Sequence, residues 1–415
     1  MDHMRIQHLF NIINQFGAQG IGLNRLAYSK EERSAIQALY ELAQENGWNV
    51  RVDAIGNLII RREGVGEKGL PAVAFGSHID TVYEAGGYDG VAGVVAGLEI
   101  LHNLDDNEVR TKHPLELIVF ACEESARFNK ATVGSQVMCG KTSIEKITSL
   151  TDKEGITLGQ ALEKAEMIDP SLDPKRSNDE FLAFFELHIE QGLVLEASGR
   201  SIGLVTGIAA PTRMAVTVHG QASHSGSTKM GDRKDALAGA AELVLAVETA
   251  GRMEAPAGTV ATVGTLQASP GAMNVIPGKA ELTIDIRGTD AASKQKVVQH
   301  IKQAAAYLET QRGLSVSIEM LCDDPPIKMS DDLLDILADA AKRRSISFIE
   351  MPSGAGHDVM NVASLCPAAL LFIPSEKGIS HHPDEFSRIE DVALGAQVMY
   401  DAIVSVAKVA EGSEG

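Results

Sequence analysis

Histidine, aspartate and glycine crowd one stretch of the chain, Gly76-Ser-His-Ile-Asp-Thr-Val-Tyr-Glu-Ala-Gly-Gly-Tyr-Asp-Gly90. An imidazole (His78), a carboxylate two residues on (Asp80) and a second carboxylate returned by a glycine-rich loop (Asp89) make a metal-binding pattern. The set supplies a ligand, a partner for the other ring nitrogen and an oxygen donor able to bridge. A lone His-x-Asp is a weak signal, but further residues of the same chemistry lie downstream. Glu123-Glu124, His188 within His-Ile-Glu-Gln-Gly192, and His381-His382-Pro-Asp-Glu385 each carry imidazole or carboxylate. Two imidazoles, a third near the C-terminal end, and carboxylates able to bridge suit a pair of borderline divalent metals held about 3.5 Å apart.

The elements that must hold these residues are strands. The apolar run Leu70 to Phe75 reads as a buried strand running out at His78 and Asp80, and the glycine turn then delivers Asp89 to a helix over 90–104. A second buried strand, Leu115 to Cys122, ends in Glu123-Glu124, and a third, Phe181 to Leu187, ends in His188. This is βαβ rhythm, in which ligands gather at the carboxyl ends of parallel strands. Neighbouring strand residues point opposite ways, so Glu123 and Glu124 can divide two jobs only where the strand is ending. Cys122 reads as buried filler. Ahead of the first of these strands the pattern gives helices near 6–16 and 30–46 and strands at 48–52 and 57–60; between the second and third it gives one short helix at 159–168.

The character changes after a strand at 202–208. A half-exposed strand (212–218), a helix (232–250), strands at 259–267 and 280–287, a helix (291–310) and a strand (315–321) follow in βαββαβ order, the split βαβ pattern of an α+β layer. The expected organisation is therefore α/β with two domains: 1–210 and 328–415 catalytic, 211–327 inserted. Pro325-Pro326 mark the return, to a helix (333–343), strands near 347 and at 369–373, and a last helix (390–409). A chain of 415 residues with 44% hydrophobic and 22% charged residues fills two such cores. Its net charge of −19 argues against nucleic-acid or anionic-membrane partners. No apolar run approaches the roughly 18 residues of a membrane span, and four scattered cysteines without CxxC spacing point to a reducing, cytoplasmic setting.

Taken together, Gly-Ser-His78-Ile-Asp-Thr-Val, Tyr88-Asp89-Gly, Glu123-Glu124-Ser-Ala-Arg127-Phe128, Glu186-Leu-His188-Ile-Glu-Gln191-Gly, Asn274-Val-Ile-Pro-Gly278, Ser353-Gly-Ala-Gly-His357-Asp358 and Gly378-Ile-Ser-His381 resemble the hydantoinase/carbamoylase branch of the M20 amidohydrolases. The resemblance runs in order over nearly the whole chain. It implies a zinc-peptidase-like catalytic domain with an inserted ferredoxin-like lid and dimerisation domain. It implies two divalent ions per subunit, zinc first, with manganese, cobalt or nickel also suited to imidazole and carboxylate. By the same resemblance His78 and His188 hold one metal, Glu124 and His381 hold the other, and Asp89 bridges. Glu123 is then the general base and Asp80 orients His78. His381 is preferred to His382 because the family pattern Ser-His-x-Pro-x-Glu fits Ser380 to Glu385.

In the inserted domain the resemblance makes His224, Asn274 and Arg287 substrate residues, with His224 reaching across a homodimer. Gln191 and His357 line the same pocket, and Arg213 either contacts substrate or tethers the hinge. A guanidinium offers the planar, two-pronged grip that a free carboxylate needs. Departures from the family pattern (Ala85-Gly86-Gly87, Ser225, Ser227, Lys229 and Gly271) surround the substrate rather than the metals. The implied reaction is C–N hydrolysis of a linear ureido or carbamoyl compound: an N-carbamoyl-L-amino acid first, then allantoate, then the acyl or peptide substrates of aminoacylases and dipeptidases. A catalytically silent binding relative is the reading from a different class, and the intact ligand set and general base speak against it.

Overall fold

The computed structural model describes residues 1–18 and 20–410. The strands are, in chain order, β1 (Asn49–Val52), β2 (Leu58–Arg62), β3 (Ala72–His78), β4 (Leu115–Phe120), β5 (Phe181–Ile189), β6 (Ile202–Ile208), β7 (Ala210–His219), β8 (Ser223–His224), β9 (Val260–Ser269), β10 (Val275–Ile276), β11 (Lys279–Gly288), β12 (Ser315–Asp323), β13 (Ile327–Lys328), β14 (Phe348–Ser353) and β15 (Ala368–Ile373). The chain divides into two compact units. The first comprises Met1–Thr206, Met329–Met351 and the chain from His357 on; the second comprises Gly207–Lys328 and Pro352–Gly356. Sequence patterning assigns 352–356 to the catalytic domain. Backbone bonding ties it to the second unit, where Ala209 N donates to Ser353 O at 2.8 Å.

In the first unit the order β1-β2-β4-β3-β5-β15-β6 puts four parallel strands at the centre, with β4 beside β3, β3 beside β5 and β5 beside β15. Strands buried on both faces are mostly apolar, and β3, β4 and β15 are buried at every residue, Glu116 of β4 being paired with Arg61 and Arg176. Phe75, Phe120, Phe184, Phe185 and Phe372 are among the largest fully buried side chains. Each contributes roughly 1.5–3 kcal/mol on leaving water. Phe120 and Phe184 meet across the sheet with ring centroids 5.9 Å apart.

The helix Val91–Asp106 follows β3 after the loop 79–90 and is buried along most of its length, which explains its lack of a polar face. The first helix, His3–Asn14, is capped by Asp2, whose side chain accepts from the amides of Met4 and Arg5, and it buries Ile6, Leu9, Phe10 and Ile13. Short helices at Val133–Met138 and Ile144–Ile147 fill a polar region where no helix is expected from the pattern. No helix among the described residues is long and apolar enough to cross a membrane.

The second unit is an antiparallel sheet of order β12-β7-β11-β9, which is 4-1-3-2 in chain order, the split βαβ arrangement. Alternate residues of β7 and β11 (Met214, Val216, Val218, Leu282, Ile284, Ile286) pack with Leu243, Val247, Val297 and Ile301 of the helices Ala236–Glu254 and Ala291–Arg312. The first of these helices begins at 236 rather than the expected 232. Asp235 caps it by accepting from the amides of Leu237 and Ala238, and Met230–Asp232 forms a separate 3₁₀ turn.

Candidate metal centre

Asp89 stands at the middle of the site. Its Oδ1 lies 3.1 Å from His188 Nε2 and 3.4 Å from His78 Nε2, and its Oδ2 lies 3.3 Å from His381 Nε2. His381 Nε2 is also 3.2 Å from Glu124 Oε1. Two sets of donor atoms result, His78, Asp89, His188 and Asp89, Glu124, His381, each with its atoms within 4.8 Å of one another. Asp89 is common to both. Glu123 belongs to neither set, and its Oε2 lies 3.8 Å from His78 Nε2.

Local backbone geometry delivers these groups. β3 and β5 end side by side, and the His78 and His188 rings stack with centroids 5.9 Å apart. Each ring spends Nδ1 on a main-chain carbonyl, His78 on Asp80 O at 3.0 Å and His188 on Ile189 O at 2.9 Å. Nδ1 therefore carries a proton for the main chain, and Nε2 of each ring is left as the atom that faces Asp89.

Gly90 opens the following helix at φ +65°, and a Cβ there would fall 2.4 Å from His78 Nε2, so only glycine lets the chain pass the imidazole. β4 ends at Phe120, and Cys122 takes a left-handed φ of 53° that turns Glu123 and Glu124 out of the strand. Gln191 (φ 57°) and His381 (φ 56°) share that sparsely populated conformation.

Asp80 behaves differently from the expectation that its carboxylate orients His78. That contact is 3.7 Å, whereas the main-chain carbonyl holds the ring at 3.0 Å. The carboxylate instead accepts from the amides of Glu123 (3.1 Å, Oδ1) and Glu124 (3.0 Å, Oδ2). The chain bends after His78, and the side chain is left facing the turn beyond β4.

The electrostatics call for positive charge. Asp80, Asp89, Glu123 and Glu124 are each at most 8% exposed, and among the described residues the ion-pair partners of these four are histidines. Burial pushes Asp80 up to about 7 and holds Glu123 well above the usual carboxylate range, in the latter case against the pull of His78 and with the help of Glu124. Burial would lower His78, but the charge on Glu123 and the hydrogen bond to Asp89 outweigh it and push the imidazole well up. Hydrogen bonding to Asp89 and Glu124 pushes His381 up to about 10. Three ring nitrogens facing carboxylates that lack lysine or arginine partners fit divalent cations with imidazole and carboxylate ligands.

Gln191 Nε2 donates to Asp89 Oδ2 at 2.6 Å, while its buried Oε1 has no hydrogen-bond partner. His382 is turned away: its Nδ1 accepts from Asp384 N at 3.1 Å and its side chain is 57% exposed. His357, expected on the pocket wall, is 2% exposed. It packs edge-on against His188 with centroids 4.5 Å apart, as a support for that ring. Two residues of this site escape sequence reasoning, Ser380 and Glu385. Ser380 Oγ lies 2.9 Å from Asp89 Oδ2 and 2.9 Å from Glu385 Oε2. The Ser-His-x-Pro-x-Glu spacing is the signal that contains both.

The second unit carries the remaining expected residues in two groups. His224 pairs with Val275 across β8 and β10, next to Asn274, whose carbonyl accepts from Ser225 N at 3.1 Å. Its Nδ1 accepts from the amides of Gly226 (3.0 Å) and Ser227 (3.3 Å), so the neutral ring carries its proton on Nε2. Arg213 and Arg287 share Asp285, donating through Nε at 2.8 Å and 2.9 Å to its two oxygens. Each guanidinium keeps its terminal nitrogens largely clear of that bond.

Comparison with known proteins agrees with this architecture. The model of peptidase family M20/M25/M40 matches residues 74–405. An uncharacterized hydrolase of Haemophilus influenzae is 46% identical over 98% of both chains. An N-carbamoyl-L-amino-acid amidohydrolase of Pseudomonas sp. (strain NS671) is 39% identical over 92% of this chain and 93% of its own. The crystal structure of a hydantoinase/carbamoylase family amidase from Burkholderia ambifaria, 34% identical, superposes with a TM-score of 0.89 over 99% of this chain and 98% of that one. The chain belongs to peptidase family M20/M25/M40, in the hydantoinase/carbamoylase branch of metal-dependent amidohydrolases.

Proposed function

We propose that this protein hydrolyses the C–N bond of an N-carbamoyl-L-amino acid, releasing the L-amino acid, carbon dioxide and ammonia. His78 and His188 would hold one divalent ion and Glu124 and His381 the other, with Asp89 shared; the ligand types suit zinc. Bound there, such ions supply an acidified water and polarisation of the ureido carbonyl. The observation that carries the reading is the pair of donor sets meeting at Asp89 with Glu123 left outside both.

Glu123 Oε2 takes the proton of the attacking water and returns it to the departing nitrogen. Its place outside both donor sets leaves its carboxylate free to hold a proton between those two events. Asp80 fixes the main chain of Glu123 and thereby the direction of its carboxylate. His224, with Nε2–H available, suits donation to the developing oxyanion, and in our reading it does so from the second subunit of a homodimer built through the inserted unit. Arg287 and Arg213, pre-set by Asp285, take the substrate's α-carboxylate. Asn274 and Gln191 complete substrate contacts, and the unpartnered Gln191 Oε1 suits a ureido N–H.

The test incubates the metal-loaded protein with N-carbamoyl-L-amino acids, allantoate and N-acetyl amino acids, measuring ammonia and free amine. Ammonia with free amino acid from the carbamoyl set is expected. Ammonia from allantoate alone would replace the substrate, amine without ammonia would replace the ureido reaction by acyl hydrolysis, and no product with both ions bound would leave a binding protein.

A further inference from the structure

One carboxylate outside both donor sets ties their loops together. Glu385 is 4% exposed. Its Oε1 accepts from the amides of Tyr88 (2.9 Å) and Asp89 (3.0 Å), and its Oε2 accepts from Ser380 Oγ (2.9 Å) and His381 N (3.3 Å). The loop ending at Asp89 and the loop carrying His381 lie almost three hundred residues apart in sequence, and these four bonds all converge on a single side chain. The seat is shaped for it: a Cβ on Gly86 would fall 2.3 Å from Glu385 Cβ and 2.7 Å from its Oε1. That explains a glycine in the reshaped turn Ala85-Gly86-Gly87. Ser380 extends the tie, its hydroxyl lying 2.9 Å from both the Glu385 and the Asp89 carboxylates with one proton to give to either.

We propose that Glu385 is the positioning residue that sets Asp89 and His381 at their mutual distance, and that Gly86 exists to admit it. The inference rests on the reading of Asp89, Glu124 and His381 as metal donors. The physical argument is one of pre-organisation. His381 sits on an exposed loop at a left-handed φ, with a side chain 48% exposed, and its own packing holds it poorly. Asp89 enters on a separate loop, ahead of the helix Val91–Asp106. Without a shared anchor, each donor would find its place only by ordering its loop at the moment of binding, and the ion at that subsite would be held more weakly. The subsite of His78 and His188 takes two of its three donors from strand ends, so it depends on this anchor only through Asp89.

The experiment strips metal from the wild type, Glu385→Ala, Glu385→Gln and Gly86→Ala, then titrates Zn²⁺ against a chromophoric chelator. Amide exchange is followed in the metal-free proteins. The wild type should take two ions. In Glu385→Ala the first, which shares only Asp89 with the anchor, should weaken much less than the second, which should fall about 10–100-fold, with protection lost at Tyr88, Asp89 and His381 and retained in β3 and β5. Gly86→Ala should move in the same direction by expelling the carboxylate. Glu385→Gln, which keeps one acceptor and turns a donor toward His381 N, should fall between. A second ion held at wild-type affinity in both Glu385→Ala and Gly86→Ala overturns the proposal. Equal weakening of both ions with protection lost throughout also overturns it, by reducing Glu385 to general stability. A wild type that takes fewer than two ions sinks the two-ion reading itself and this inference with it, whereas two ions held equally tightly in every variant sink this inference alone.

Discussion

Replacing Asp80 by asparagine separates two accounts of how this site is held. The Asp80 carboxylate, 1% exposed, gives one oxygen to the amide of Glu123 and the other to that of Glu124. Asparagine has a single acceptor oxygen, so one amide would face an NH₂ group and lose its bond. A hydrogen bond to a charged acceptor is worth about 1.5–3 kcal/mol. If that loss falls on the placement of Glu123 in the transition state, kcat drops by about 10- to 150-fold, with KM little changed. Metal binding distinguishes the accounts further. Because His78 is held by the Asp80 main-chain carbonyl, which the substitution keeps, ion affinity at the His78/His188 subsite should be unaltered. If the loss falls on the Glu124 amide instead, affinity at the Glu124/His381 subsite should fall. Measuring Zn²⁺ affinity of Asp80→Asn in His381→Ala and His188→Ala backgrounds isolates each subsite. Weakened binding confined to the His78/His188 subsite would refute the reasoning and restore the carboxylate as the partner of His78.

Glu123→Gln should keep both ions, because Glu123 lies outside both donor sets, and should lower kcat by about 10²–10⁴-fold; loss of an ion in this variant, measured by elemental analysis, would make Glu123 a ligand. Metal uptake should release protons. The His381 imidazole is pushed up to about 10 by Asp89 and Glu124, so below that pH an incoming ion must displace its proton, and apparent affinity should fall as pH falls. Calorimetry at pH 7 in buffers of different ionisation heat should detect at least one proton released per protein, and none would contradict the proposed role of His381. Gly90→Ala should cost more than about 1–2 kcal/mol, the penalty of a left-handed helical residue, because φ +65° is joined to ψ −45° there, and the cost is read as a lower urea midpoint. It should also impair the His78 subsite, because its Cβ would fall 2.4 Å from Nε2.

The donors were legible in the sequence because each of the strand-end residues closes an apolar run that can only be a buried strand, and parallel strands gather their carboxyl-terminal residues at one edge of the sheet. The supports were less legible. Asp80 is two residues from His78 in sequence, which suggests a side-chain partnership, yet the bend after β3 gives that role to its carbonyl. Glu385 binds amides at 88 and 89, and no local pattern announces a contact across 296 residues. Cys122 follows a strand pattern in sequence, while its positive φ ends the alternation and lets Glu123 and Glu124 serve different purposes. The helices at 133–138 and 144–147 are too short for a periodic signal to rise above polar composition. Segment 352–356 joins the second unit through main-chain hydrogen bonds, which composition does not record.

The place of β15 in the sheet bears on how the molecule is made. This strand lies between β5 and β6, pairing parallel with one and antiparallel with the other, although those two are neighbours in the chain. As synthesis proceeds from the N-terminal end, β5 and β6 emerge with an open slot between them that only residues 368–373 can fill. The sheet edges on both sides of the slot stay unpaired through the synthesis of the entire inserted unit. Long-range closure of this kind is slow and leaves strands exposed to wrong partners. The same late segment brings His381 and Glu385 to the site, so on the proposed two-ion reading occupancy of the Glu124/His381 position would report that the last strand has docked. A ribosome-bound chain halted before β15 should take up at most the ion of His78 and His188.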